Sequence, residues 1–172
     1  MGANGVAAID LVKITKSGIT MSLGFTSDQR FIVDLANHQL VARENLWARK
    51  RGQRAMPSRA DLAVSELRPW LGNLALIDLN EMGDGTFRLC GTNLTARFGI
   101  DVTGCRVATL SDDLVATIVS FITRIRETKT PVHHRHVRIV HGTEVNFDDL
   151  ALPLSSDGDH VGTLLFASYP QR

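Results

Sequence analysis

The sequence predicts an α+β domain with a five-stranded antiparallel sheet, helices on one face of that sheet, and an N-terminal helical extension. Three observations predict this fold. Two short apolar runs, residues 74–79 and 86–90, flank a glycine-containing turn, as in a β-hairpin. One long amphipathic helix pattern follows, and three further strand patterns close the chain. Because helices and strands occur in separate runs, an antiparallel sheet with segregated helices is expected.

Composition and charge are those of one globular domain. A chain of 172 residues can bury its own core, and 19 Lys and Arg against 18 Asp and Glu give a net charge of +1. This balance argues against a general affinity for nucleic acid or membranes. The two cysteines, Cys90 and Cys105, are too few for a disulfide framework. We therefore expect a cytoplasmic protein with reduced thiols.

The patterns divide the chain into three segments. Residues 1–34 form an arm that the sequence defines poorly, because glycine and small polar residues interrupt two short strand-like patterns. Residues 35–72 contain the N-terminal helices, and residues 73–170 contain the core of the domain.

The N-terminal helices carry an apolar stripe. The first helical pattern covers residues 35–51 and ends in a basic turn before Gly52. A second helical stretch starts at Pro57 and ends near Leu71. The stripe of the first helix must be buried, either against the sheet of the same chain or against a second copy. Its apolar members are Leu40, Val41 and Trp47.

The second half of the core is the more regular part. Residues 94–110 look irregular, and Ser111 then starts the clearest helix as its N-cap. Apolar residues recur in this helix at spacings of three and four, so one face is apolar as far as the stop before Pro131. The closing strands are predicted at residues 132–140, 144–154 and 160–169.

Four sequence segments resemble a known family. They are residues 55–62 (AMPSRADL), 66–79 (ELRPWLGNLALIDL), 87–92 (FRLCGT) and 98–104 (FGIDVTG). Together with the order of elements, they resemble the stand-alone bacterial PAS domains found largely in alphaproteobacteria. The resemblance covers about residues 40–170. It implies a regulatory module that senses a small ligand or docks on a separate signalling protein, and that is not an enzyme.

The resemblance also implies where a ligand and a partner subunit would lie. PAS domains use the hollow between sheet and helices for small ligands, and they commonly dimerise through an N-terminal helix. We therefore expect a homodimer that pairs through Leu40, Val41 and Trp47, with burial inside one chain as the alternative. A ligand-free interaction scaffold is the alternative function. The candidate pocket residues are Leu76, Leu89, Phe98, Ile118, Ile122 and Leu165.

Cofactors and metals find little support in the sequence. Residues 111–128 contain no His, Cys, Met or Tyr that could serve as an axial ligand, which argues against haem. Cys105 and Arg106 share only two residues with the photoactive flavin motif, which argues against flavin chemistry. In a strand, His134 and His136 share a face while His133 points away, so only two ligands converge. A third ligand would have to come from His141, His160 or a carboxylate, and zinc normally has three or four protein ligands. We therefore predict no metal site and a solvent-facing polar strand.

No motif indicates catalysis or nucleic-acid binding. The basic stretch at residues 43–59 contains one aromatic residue, Trp47, and so offers little for base stacking. Asp148 and Asp149 are neighbours that point to opposite faces of a strand, so they cannot act as an acid–base pair. Nucleic-acid binding is the less favoured alternative.

Overall fold

The computed structural model describes residues 38–140 and 142–171. The arm predicted at residues 1–34 lies outside the described residues. The helices are α1 (His38–Arg51), α2 (Val64–Leu67), α3 (Thr92–Phe98) and α4 (Asp112–Thr128). The strands are β1 (Leu74–Leu79), β2 (Gly85–Cys90), β3 (Val132–Val140), β4 (Thr143–Leu154) and β5 (Thr163–Pro170).

The five strands form one antiparallel sheet in the order β2-β1-β5-β4-β3. The hairpin of β1 and β2 lies at one edge, and β3 lies at the other. β5 is central and bonds to both β1 and β4. The predicted α+β class and antiparallel sheet are thus confirmed.

Helices cover both faces of this sheet. Phe121 of α4 contacts the ring of Phe166, with centroids 5.5 Å apart. Arg43 of α1 lies over the ring of Tyr169, 4.5 Å from its centroid. Because side chains alternate along β5, residues 166 and 169 lie on opposite faces. We call these faces the α4 face and the α1 face.

β4 is buried on both faces of the sheet along most of its length. Its last eight residues, from Phe147 to Leu154, are all buried, including the polar Asp148 and Asp149. Among the described helices, the core helix α4 covers one face and the N-terminal extension contributes α1 to the other.

The helix α1 packs against its own sheet. Leu40 and Trp47 are each 2% exposed, and the Trp47 Nε1 donates a hydrogen bond of 2.7 Å to the Pro153 carbonyl of β4. The expected dimer contact is therefore wrong for these two residues, because they are buried within one chain. Val41 is half-buried, and the homodimer itself stays a prediction.

Three other elements differ from the sequence prediction. The stretch from Pro57 to Leu71 contains the four-residue α2, with a 3-10 turn before it at Arg59–Asp61. A second 3-10 turn at Arg68–Asn73 includes Pro69, where a kink or short final turn was predicted. The region predicted as irregular contains α3. β5 starts at residue 163 rather than 160, because Asp157 binds the backbone N–H and ring of His160 in a turn.

Candidate functional site

A buried group of polar side chains lies on the α4 face, where β3 meets β4. His134 of β3 is paired in register with Asp149 of β4, and His136 follows on the same face of β3. One ligand atom from each of the three residues lies within 4.8 Å of the other two. The side chain of Asp149 is 1% exposed and that of His136 is 21% exposed. We call these three residues the His–Asp cluster.

Aromatic neighbours position the two imidazoles. The ring of Phe121 meets the His134 ring edge-on, with centroids 5.8 Å apart. The rings of His134 and His136 stack at 5.5 Å, and His136 stacks in turn on Phe147 at 5.6 Å. The rings are therefore aligned by packing rather than by hydrogen bonds.

The polar atoms of the cluster are poorly satisfied. The His136 Nδ1 and the Asp149 Oδ2 are 3.1 Å apart, an ion-pair distance that lacks the angles of a hydrogen bond. In the described part of the chain, His134 Nδ1, His136 Nδ1 and both Asp149 oxygens have no hydrogen-bond partner. Buried polar atoms are rarely left in this state, so the group calls for an explanation.

Burial also favours the neutral form of one imidazole. Desolvation lowers the pKa of His134, while the Asp149 carboxylate opposes that shift. The neutral ring is the form that presents a free lone pair. His134 therefore offers a nitrogen that can accept a hydrogen bond or bind a metal ion.

The guanidinium of Arg97 lies beside the cluster but binds other groups. It donates to the Ser168 carbonyl oxygen at 2.8 Å and to the side-chain oxygen of Asn73. Burial lowers the pKa of Arg97, and the Asp149 carboxylate partly opposes this. The N-cap of its helix, α3, is Gly91, where an added Cβ would lie 2.0 Å from the Leu71 carbonyl oxygen. Only glycine permits this close approach.

An open cleft of about 180 Å³ lies between α3, the start of α4 and β3. Arg97 and Arg138 supply positive charge, and Ser111 is the N-cap of α4. Arg138 has no hydrogen-bond or ion-pair partner among residues 38–140 and 142–171. Its charge contributes to lowering the pKa of Arg97. We call this the arginine cleft; its remaining lining residues are Phe98, Ile100, Leu110 and Leu114.

The predicted pocket residues do not converge on one cavity. Leu76 pairs with both Leu89 and Leu165, so these three lie on the α1 face. Ile118 and Ile122 are buried in α4, on the other side of the sheet. The common pocket is therefore wrong: a sheet separates its members. Of the six, only Phe98 lines the arginine cleft.

The His–Asp cluster was not predicted from the sequence. Strand alternation correctly placed His134 and His136 on one face of β3, but that face was expected to be exposed to solvent. The structure instead turns it towards α4 and brings Asp149 alongside. The two histidines at alternate positions were the available signal, and only the strand register identifies the third residue.

Comparison with known proteins identifies the family. A family described as PAS domain matches residues 35–166. The chain belongs to this PAS-domain family. As a PAS domain it is, in general terms, a sensory or regulatory module. No curated protein matches the chain.

Two solved structures are similar to this PAS domain. The PAS domain of BvgS from Bordetella pertussis is 15% identical, with a TM-score of 0.47, covering 59% of this chain and 78% of that one. The PAS domain of an HTR-like protein from Haloarcula marismortui is 16% identical, with a TM-score of 0.39, covering 63% and 91%. In the described residues, no helix has both the length and the apolar character needed to cross a membrane.

The residues between the sheet and α4 do not fit a haem or a flavin. Phe121, Phe166 and Ile118 fill this space, and all three are less than 5% exposed. The arginine cleft, at about 180 Å³, is smaller than the roughly 300–1,000 Å³ of pockets for drug-sized ligands. Cys105 is half-buried in the loop between α3 and α4 and is a free thiol.

Proposed function

We propose that this PAS domain senses a small organic anion that binds in the arginine cleft. The observation that carries the proposal is the pairing of two guanidinium groups with an apolar lining in one cleft. The proposal is for binding without catalysis, since no nucleophile–base pair lines the cleft.

The charged end of the cleft suits a carboxylate. Arg138 is half-buried and unpartnered among the described residues, and its charge disfavours the charged form of the nearby Arg97. An anion between them would relieve this repulsion and accept charge-assisted hydrogen bonds. Ser111 adds a hydroxyl at the N-terminal end of α4, where the helix dipole also favours negative charge.

The apolar end of the cleft sets the size of the ligand. Phe98, Leu110 and Leu114 offer contact to a short hydrocarbon or aromatic group, and Ile100 is 59% exposed at the surface. The volume of about 180 Å³ restricts the ligand to a small molecule. A short-chain aliphatic or simple aromatic acid meets both requirements.

The cleft also offers a route for the signal. It is lined by β3 of the sheet and by α3 and the N-terminus of α4. A ligand that binds all three restrains them relative to one another. In our proposal, a separate signalling protein recognises this change. We propose in addition that the chain forms a homodimer.

A panel of small carboxylic acids tests the proposal. Binding is measured by the shift of backbone amide resonances in buffer containing EDTA, so that metal ions play no part. We expect at least one acid to shift resonances of α3, the α4 N-terminus and β3 together. If no acid does so, or if shifts occur only elsewhere, the proposal is wrong.

The matched variants are Arg138→Gln and Arg88→Gln. Arg88 is an exposed arginine of β2 that pairs with Asp78, outside the cleft. Loss of a charge-assisted contact lowers affinity about 10-fold or more, so Arg138→Gln should weaken binding by that factor. Arg88→Gln should bind as the unaltered chain does. Equal weakening in both variants would indicate nonspecific attraction of anions and contradict the proposal.

A further inference from the structure

We propose that the His–Asp cluster binds one divalent transition-metal ion, zinc in the first instance, through His134, His136 and Asp149. Each residue supplies one ligand: an imidazole nitrogen from each histidine and one carboxylate oxygen from the aspartate. This site differs in its residues from the arginine cleft, and it stands or falls independently of any anion.

The distances are close to those of a metal site. Ligand atoms on a tetrahedral zinc ion lie about 3.3 Å apart, because each is about 2.0 Å from the metal. His136 Nδ1 and Asp149 Oδ2 are already 3.1 Å apart, and all three ligand atoms lie within 4.8 Å of one another. Closing the cluster onto an ion therefore requires side-chain movements of about 1–2 Å.

The unsatisfied atoms point to a ligand that accepts lone pairs. Direct pairing of His136 with Asp149 is the simplest alternative, but among the described residues it leaves His134 Nδ1 and one carboxylate oxygen without a partner. Arg97 makes no hydrogen bond to Asp149; its terminal nitrogens donate to Ser168 and Asn73. A cation held by all three residues satisfies the buried charge of Asp149 and both imidazoles.

The donor set selects the class of metal. Two imidazole nitrogens and one carboxylate oxygen suit zinc and its neighbours in the first transition series, whereas magnesium and calcium prefer oxygen ligands alone. Three protein ligands leave at least one coordination position for water or a small ligand. The 21% exposure of the His136 side chain places the cluster near the surface, although its unpartnered ligand atoms are buried.

The test is a titration of the full, tag-free chain with ZnCl₂ after treatment with EDTA, followed by calorimetry and thermal unfolding. We expect one equivalent to bind. The melting temperature should rise by about 5–10 °C at free zinc 100-fold above the dissociation constant. MgCl₂ at the same concentration should have no such effect. Absence of stoichiometric zinc binding overturns the proposal.

Variants locate the ion. His136→Gln and Asp149→Asn should each weaken zinc binding by about 100-fold or more, because each removes a direct ligand. His133→Gln is the matched control on the same strand, since His133 faces α1 and bonds to Glu44 at 2.8 Å. His160→Gln tests whether zinc binds instead at the surface pair of His160 and Asp157. Both control variants should bind zinc as the unaltered chain does. Full binding in the two cluster variants, or loss of binding in His160→Gln, overturns the proposal.

A cobalt spectrum of the unaltered chain gives a readout that needs no variant. With Co²⁺ in the His–Asp cluster, we expect weak visible bands and no thiolate-to-cobalt charge transfer, because none of the three ligands is a cysteine. Thiolate bands would place the metal on Cys90 or Cys105 and overturn the proposal. This result holds even if a cluster variant fails to fold.

Discussion

The buried polar groups on the two faces of the sheet differ in how fully they are hydrogen-bonded. On the α1 face, Arg43 is 1% exposed, lies between the rings of Trp70 and Tyr169, and donates to the Gln39 carbonyl and the Tyr169 hydroxyl. Burial lowers the pKa of Arg43 to about 9, which still leaves it protonated at neutral pH. On the α4 face, four atoms of the His–Asp cluster have no hydrogen-bond partner among the described residues.

This contrast separates a docking surface from a candidate site. The buried Nε atoms of Arg43 and Arg51 lack partners, but the contacts of Arg43 and Trp47 that join α1 to the sheet are hydrogen-bonded, so this face serves to hold the helix. The α4 face retains groups whose burial is costly unless something binds them. Natural proteins tolerate such local conflicts mainly at functional sites.

The largest expected effect comes from breaking the apolar contact on the α4 face. Ile118 is fully buried, so Ile118→Asp places an unpaired charge in the core and should lower the free energy of unfolding by more than about 4 kcal/mol. Thr117→Asp, half-buried at a more polar angle of α4, should cost much less. The measurement is urea unfolding of both variants. Equal losses would mean that the orientation of α4 is wrong.

The next effect tests the α1 face. Trp47→Ala removes a buried indole and its hydrogen bond to Pro153, so we expect a loss of about 3–5 kcal/mol in urea unfolding. Trp47→Phe keeps most of the apolar contact and should cost about 1–3 kcal/mol, because the Pro153 carbonyl loses its donor. Light scattering of the same variants measures whether their oligomeric state changes. A Trp47→Ala variant of unchanged stability would show that α1 does not rest on its own sheet.

The smallest effect compares the two neighbouring aspartates directly. Asp148 accepts hydrogen bonds from Arg135 at 2.9 Å and Gln171 at 2.8 Å, so Asp148→Asn should lower the free energy of unfolding by about 1 kcal/mol. Asp149→Asn removes a buried charge without hydrogen bonds and, in EDTA, should raise it by about 1 kcal/mol. The two variants should therefore differ in sign. A larger loss for Asp149→Asn would show that its carboxylate already has a stabilising partner.

The bounds of β3 and β4 were predicted more accurately than the position of the helix α1 that packs beside the sheet. β3 has the predicted bounds, and β4 begins one residue earlier than predicted, because alternation and turn residues are local signals. The position of α1 was left open, since an apolar stripe shows that a helix is buried but not where. The position of α1 is shown by the hydrogen bond from Trp47 to the Pro153 carbonyl, a residue over a hundred positions away in the sequence.

The site was harder to predict because it depends on register. His134 and His136 share a face in any strand, but Asp149 joins them only through the particular pairing of β3 with β4. A shift of one residue would bring Asp148 to His134 instead. The pocket prediction failed for a related reason, since apolar residues such as Leu76 and Ile118 look alike in sequence whichever face they occupy.

Because β3 is an edge strand, its backbone amides can report whether a metal ion occupies the His–Asp cluster. β3 is hydrogen-bonded to β4 on one side only, so local opening should expose its amides to deuterium exchange sooner than those of the central β5. An ion shared by His134, His136 and Asp149 would fasten this outer strand to its neighbour through side chains as well as backbone. Slower deuterium uptake along β3 would then report a filled site.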